Sequence, residues 1–115
     1  MGLQVHTEAR DDLTTVTLAG ELDIYTVADF RTRLEDVDPS EHQLVIDLTD
    51  VTLLDSSGLG ALVSLLNRAR EGERGLGLVC PHRRLLRVFE ITGLRRAFAF
   101  GDDLDSVRIA LVEAG

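Results

Sequence analysis

The sequence predicts an α/β fold in which about four helices pack against a mixed β-sheet of about five strands. Some segments alternate apolar and polar residues, whereas others repeat apolar residues every three or four positions. Segments of the two kinds alternate along the chain. The resulting order, β-β-α-β-α-β-α-β-α, contains strand-helix-strand units, which favour right-handed crossovers and parallel pairing. The length of 115 residues is that of one domain.

The first three predicted elements are two strands and a helix. Residues 3–8 alternate apolar and polar side chains, and residues 14–19 are rich in β-branched side chains, as is typical of strands. We expect Gly20 to end the second strand. Residues 25–37 then carry apolar side chains at helical spacing, and Pro39 breaks this helix.

The remaining elements alternate between strand and helix. Residues 44–48 form a nearly continuous apolar run, which predicts a central strand covered on both faces, with Asp47 and Asp50 bracketing its end. The next helix begins near Ser56 or Ser57. The last four predicted elements are a buried strand at 77–80, a helix from Pro81 to Gly93, an edge strand at 97–100 and a helix after Asp103.

Composition argues against several classes of function. The formal net charge is −8, and an acidic surface repels phosphate backbones, so we expect a partner with a basic face and no direct nucleic-acid binding. No apolar run approaches the ~18 residues that span a bilayer, and residues 1–6 lack a signal-peptide pattern. The single cysteine, Cys80, excludes an internal disulfide and reads as a small buried hydrophobe. These features predict a cytoplasmic protein without membrane association, metal or cofactor.

The segment Asp55-Ser56-Ser57-Gly58-Leu59-Gly60 stands out because it follows a strand and opens an amphipathic helix. Sites gather at the carboxyl ends of strands in open α/β sheets. Asp and Ser are also favoured at helix starts, because their side chains accept hydrogen bonds from free N–H groups. Capping explains one polar residue but not three in succession, and each glycine costs ~1 kcal/mol relative to Ala inside a helix. Local physics supports capping and a functional site about equally.

The spacing of these residues does not fit the common catalytic motifs. A hydrolase nucleophile elbow needs Gly-x-Ser-x-Gly, but Leu54 lies two positions before Ser56 and Leu59 two positions after Ser57. A P-loop needs a lysine, and the chain contains none. The three histidines are too scattered to suggest a metal site. We therefore expect no catalytic residues and no enzyme; nucleotide binding or hydrolysis is the least favoured alternative.

Two motifs taken together resemble a known family. Gly20-Glu21-Leu22-Asp23, followed further along by the motif at 55–60, is similar to the STAS domains of bacterial anti-sigma factor antagonists. Residues 83–94 match the pattern of that family's third helix, so the resemblance covers nearly the whole chain. It implies a single STAS domain over residues 1–115.

The resemblance also implies a phosphorylation switch. In this family, an anti-sigma factor that is a serine kinase phosphorylates the serine directly after the motif aspartate, which is Ser56 here. The unphosphorylated antagonist binds the anti-sigma factor and frees the sigma factor; phosphorylation ends that complex, and a metal-dependent serine phosphatase reverses the modification. The residues that the resemblance assigns to partner binding are Glu21, Asp23, Asp55, Ser57, Gly58, Leu59 and Gly60, with Ile24 and Tyr25 tuning the choice of partner.

A phosphoserine adds about −1.5 to −2 charge, which a helix N-terminus favours, so phosphate on Ser56 is expected to act on the interface and leave the fold almost unchanged. The alternative function is a STAS scaffold or regulatory subunit of a stress-sensing or transport complex without phosphorylation, whose complex would be insensitive to ATP. We expect the later arginines to form a solvated face and not an anion site; they are Arg83, Arg84, Arg87, Arg95 and Arg96.

Overall fold

A computed structural model describes residues 2–114, which form five strands and four helices. The strands are β1 (Leu3–Arg10), β2 (Leu13–Leu22), β3 (Gln43–Leu54), β4 (Leu76–Val79) and β5 (Ala99–Gly101). The helices are α1 (Val27–Arg33), α2 (Ser56–Glu71), α3 (Arg83–Ile91) and α4 (Leu104–Ala114). This confirms the predicted order of elements. The end residues of the predicted domain, Met1 and Gly115, lie outside the described residues.

The sheet is mixed, with the strand order β1-β2-β3-β4-β5. β1 and β2 are antiparallel, and the other neighbours are parallel. Each parallel connection moves one strand further in the same direction. Right-handed crossovers of this kind bring their helices to one face of the sheet, so α1, α2 and α3 lie on the same side. α4 follows the last strand and covers the opposite face.

Two hydrophobic clusters flank the sheet. The larger one contains fully buried residues from each helix of the first face, including Phe30, Leu62 and Phe89. The smaller one joins Val45 and Val79 of the sheet to Val107 of α4. Neighbouring residues of a strand point to opposite faces, so β3 contributes to both clusters, as its apolar run predicted.

The prediction that Gly20 ends β2 is wrong, because the strand continues to Leu22. Gly20 adopts a φ of +111°, and the register with β3 shifts between Gly20 and Glu21. A Cβ atom at position 20 would lie 2.2 Å from the carbonyl oxygen of Gly2, the residue before β1. This glycine marks a bulge at which two backbones approach closely, not a strand end.

The predicted end of β3 is also wrong, because Asp47 and Asp50 lie inside a strand that runs to Leu54. The Asp47 carboxylate accepts hydrogen bonds from the Thr49 backbone N–H at 2.9 Å and from its hydroxyl at 2.6 Å. The register with β2 shifts at this point. In sequence, Asp47 resembles a residue that starts a turn. In the structure, its local hydrogen bonds to Thr49 stabilise a bulge within the strand.

The first and third helices are shorter than predicted. α1 ends at Arg33, and the chain continues in tight turns in which Glu35 N–H bonds to the Thr32 carbonyl and Val37 N–H to the Leu34 carbonyl. These i→i+3 hydrogen bonds still place Leu34 in the core, as its helical spacing with the other apolar residues of this segment predicted. α3 begins at Arg83, after Pro81. Across residues 2–114, no helix has both the length and the apolar character needed to cross a membrane.

Candidate functional site

The start of α2 follows directly from β3, and Asp55 is its N-cap. Asp55 has an extended backbone (φ −107°, ψ −174°), and its Oδ1 accepts a hydrogen bond from Gly58 N–H at 3.0 Å. Ser56 and Ser57 occupy the first two helical positions. Because Asp55 supplies the cap, neither serine is needed for it. The structure thus assigns capping to one of the three polar residues and leaves two hydroxyls without that role.

The second carboxylate oxygen of Asp55 connects the two sequence motifs. Asp55 Oδ2 accepts a hydrogen bond from Ile24 N–H at 3.0 Å, and Asp55 N–H approaches the Leu22 carbonyl at 3.4 Å. One side chain therefore holds the loop after β2 against the first turn of α2. The pairing of the motifs in sequence corresponds to a direct contact in space.

Asp23 shapes the loop between β2 and α1. It is only 7% exposed, and its Oδ1 accepts hydrogen bonds from the N–H groups of Tyr25 at 2.9 Å and Thr26 at 3.1 Å. The Thr26 hydroxyl donates to the Glu21 carbonyl at 2.7 Å. Asp23 was expected at the docking surface, but its carboxylate is buried and occupied by the loop's own donors. Glu21, the residue that the Thr26 hydroxyl bonds, is half-buried.

Gly58 and Gly60 serve different purposes although they are close in sequence. A Cβ on Gly58 would lie 2.5 Å from the Leu22 carbonyl oxygen and 2.8 Å from Leu54 Cδ1, so only glycine lets α2 approach β2 this closely. A Cβ on Gly60 would meet nothing within 4 Å. Leu59 is 7% exposed and belongs to the core. Of these three predicted partner-binding residues, only Gly60 is exposed.

Ser56 is exposed, and Ser57 is half-buried. Among the residues that the structure describes, neither hydroxyl has a hydrogen-bond partner, in contrast to Asp55. The N–H groups of the first helical turn lack intrahelical acceptors and favour negative charge. Ser56 is therefore an accessible hydroxyl in a place where an added phosphate is electrostatically tolerated.

Three exposed apolar side chains lie on the two chain segments next to Ser56, which are the loop after β2 and the end of β3, and we call them the apolar rim. Ile24 is 65% exposed, Tyr25 91% and Leu53 45%. The backbone N–H of Ile24 donates a hydrogen bond to Asp55, and Leu53 of β3 is the register partner of Glu21 in β2. Large apolar groups exposed on neighbouring segments are typical of an interaction surface. Sequence reasoning missed Leu53, although its alternation with buried Leu54 at the end of β3 was the available signal.

Other chemistry near the site is limited. Cys80 is buried, as predicted, and burial raises the pKa of its thiol above the ordinary value. In the described part of the chain, no group of three or more His, Cys, Asp or Glu residues is arranged to hold a metal ion.

A family model described as "STAS domain" matches residues 4–107. The anti-sigma-B factor antagonist of Staphylococcus epidermidis is 33% identical over 96 residues, which covers 83% of this chain and 89% of that protein. The crystal structure of an anti-sigma factor antagonist from Mycobacterium paratuberculosis matches with a TM-score of 0.78 and 28% identity, over 96% of this chain and 94% of that one.

A third similar protein, SpoIIAA, has been solved in two forms. Its unphosphorylated form matches with a TM-score of 0.72 over 97% of this chain and 100% of that one. Its phosphorylated form, from Bacillus, matches with a TM-score of 0.69 over 92% and 98%. Both are 17% identical to this chain, a level that shows a common fold.

Proposed function

This chain belongs to the STAS domain family, and from that premise we propose that it is an anti-sigma factor antagonist regulated by phosphorylation of Ser56. The unphosphorylated protein binds an anti-sigma factor that is also a serine kinase, and a sigma factor is thereby released. Phosphorylation ends the complex, and a serine phosphatase restores it. In this proposal the protein is a cytoplasmic binding module, one STAS domain over residues 1–115, and not an enzyme.

The observation that carries the proposal is the exposed Ser56 hydroxyl on the first turn of α2. A kinase acceptor must reach the donor phosphate, and a hydroxyl committed to capping could not do so without breaking a helix terminus. Asp55 accepts the capping bond in place of Ser56, which leaves the hydroxyl free to react. Ser57 is half-buried, and this favours Ser56 over its neighbour as the acceptor.

The surroundings of Ser56 explain how a phosphate would oppose binding. The apolar rim offers Ile24 and Tyr25 for burial against a partner. A phosphate of about −1.5 to −2 charge next to them would have to be desolvated within the same interface, or would hold the partner away. The adjacent Asp55 adds like charge on a protein that already carries −8. The modified site therefore favours water over an interface.

The relatives support the same function. Proteins similar to this chain over most of its length are anti-sigma factor antagonists, one of them at 33% identity. SpoIIAA has this fold in both an unphosphorylated and a phosphorylated form. The fold is thus compatible with a phosphate, which agrees with a switch that acts on the partner.

The test is phosphorylation by a serine-kinase anti-sigma factor from the same cell. The wild-type protein, Ser56→Ala and the matched control Ser57→Ala are incubated with the kinase and ATP, and the added mass is located by peptide mass spectrometry. We expect one phosphate on wild type and on Ser57→Ala and none on Ser56→Ala. Modification of Ser56→Ala at the wild-type rate would refute the acceptor assignment. A stable complex that ATP does not dissociate would instead favour a scaffold.

A further inference from the structure

A groove with a volume of about 720 Å³ lies near the starts of β3 and β4, at the opposite end of β3 from Ser56. It is bounded by the end of α2, the segment before β5 and α4. Gly75 in its wall precedes β4, whose first residue, Leu76, pairs with Leu44 near the start of β3. Ser56 follows the other end of β3. At about 3.3 Å per residue, the two ends of this strand are roughly 30 Å apart.

Arginine side chains dominate the charge of this groove. Its lining includes four arginines, Arg70, Arg74, Arg95 and Arg96, and a single acidic residue, Glu73. We call it the arginine groove. Within residues 2–114, none of these four arginines lies within 4.0 Å of a carboxylate oxygen, although the chain has 20 acidic residues. Guanidinium groups without an internal counter-charge form a positive wall on a negative protein.

Two of these arginines are held in place before any ligand arrives. The Arg95 guanidinium carbon lies 4.6 Å from the ring centroid of Phe100. Arg74 donates from Nε to the Ser40 carbonyl at 3.3 Å and from Nη2 to the Glu41 carbonyl at 3.2 Å. Such contacts reduce the side-chain entropy lost on binding. Each guanidinium has five N–H donors, so both retain free donors.

The groove also has an apolar floor. Phe100 of β5 and Leu111 of α4 are half-buried and expose part of this floor, whereas Phe98 and Leu66, which also line the groove, are buried in the core. A lone inorganic anion would use the arginines and leave this floor uncovered. A ligand with both carboxylates and apolar side chains would use both parts of the groove.

We infer that the arginine groove binds an acidic peptide segment of a partner protein, with carboxylates on the arginines and an apolar side chain on the floor. The net charge of −8 opposes a nucleic acid, whose phosphates would extend beyond the groove over acidic surface. A short peptide meets only the local positive wall. Arg95 and Arg96, which sequence reasoning assigned to a solvated face, thereby become ligands for an anion. This site is separate from Ser56 and does not depend on its phosphorylation.

The test uses a fluorescein-labelled peptide, Glu-Glu-Leu-Glu-Glu-Phe-Glu-Glu, and its counterpart with every Glu replaced by Gln. Binding to the full chain is followed by fluorescence anisotropy at low salt. The groove variant is Arg70→Ala with Arg96→Ala. The control, Arg87→Ala with Arg108→Ala, removes the same charge from exposed residues that do not line the groove. We expect saturable binding of the Glu peptide, about tenfold weaker to the groove variant and less than about twofold weaker to the control.

Several results would overturn the inference. These are absence of saturable binding by wild type, equal binding of the Gln peptide, or equal loss of affinity in the two double variants. An oligonucleotide that displaces the peptide at lower concentration would assign the groove to nucleic acid instead. A dimer in sedimentation that the groove variant abolishes would assign it to a second copy of the chain. Amide shifts on peptide addition should fall on residues 95–100 and not on residues 56–60.

Discussion

At the scale of single residues, Asp55 has the largest structural role in the site. One carboxylate oxygen caps α2 through Gly58 N–H, and the other holds the loop after β2 through Ile24 N–H. Ser56, next to it, makes no comparable contact within the described residues. The residue that builds the site and the residue proposed to react are therefore different, and mutation can separate them.

We predict that Asp55→Ala lowers the free energy of unfolding by about 2 kcal/mol, because it removes a helix cap and a second, charge-assisted hydrogen bond. Ser56→Ala should change it by less than about 0.5 kcal/mol, as expected for an exposed side chain without partners. Urea unfolding followed by circular dichroism measures both. If Ser56→Ala were as destabilising as Asp55→Ala, the hydroxyl would have a structural role that contradicts this view of the site.

The two glycines of α2 provide a matched pair for a second prediction. Gly58→Ala should destabilise the protein by about 1–3 kcal/mol, because its Cβ would overlap the backbone of Leu22. Gly60→Ala should stabilise it by about 0.5–1 kcal/mol, because alanine favours a helix and its Cβ meets open space. Thermal unfolding of the two variants side by side distinguishes them. Equal effects would show that helix propensity alone decides both positions.

At the scale of elements, periodicity sufficed to predict every helix and strand, since each helix buries one stripe and the strands covered on both faces show a continuous apolar run. The boundaries failed where tertiary contacts override local signals. Gly20 and Asp47 resemble a strand end and a turn, yet both lie at bulges that depend on pairing with another strand. α1 ends early because tight turns bring Leu34 into the core as well as a longer helix would.

The start of α2 could be predicted from the sequence, whereas the exposure of the residues around it could not. The polar run and its neighbouring glycines indicated the start of α2. Whether Asp23 and Gly58 are exposed depends on how the loop after β2 folds over α2, and no local pattern contains that information. The exposure of Leu53 likewise arises because β3 continues beyond β4, which ends at Val79.

The apolar rim leads to a prediction about binding. Tyr25→Ala should weaken the complex with the anti-sigma factor about tenfold or more, because exposed aromatic residues often contribute most of an interface's affinity. Ile91→Ala is the control, since Ile91 is 78% exposed but lies at the end of α3, outside the rim. Titration calorimetry with unphosphorylated proteins measures both. A larger loss for Ile91→Ala would move the interface away from Ser56.

At the scale of the whole molecule, α2 and β3 are packed along their length by the hydrophobic clusters that flank the sheet. The larger hydrophobic cluster joins α1, α2 and α3 to the sheet, and the smaller one adds α4 on the other face. Such a close-packed interior resists gradual deformation. A charge added at the surface therefore changes the local electrostatic potential and the interface with a partner more than it changes the conformation of the domain.

We therefore predict that phosphorylation of Ser56 leaves the fold in place. In ¹⁵N–¹H spectra, amide shifts should be confined to residues 21–26 and 56–60, the two segments joined by Asp55. The phosphate meets the positive end of α2, so no helix needs to unwind to accommodate it. Ser56→Ala treated with the same kinase and ATP is the control for shifts unrelated to modification. Widespread shifts in α4 and β5 would show instead that the phosphate acts through a change in the whole domain, and the switch would then be conformational.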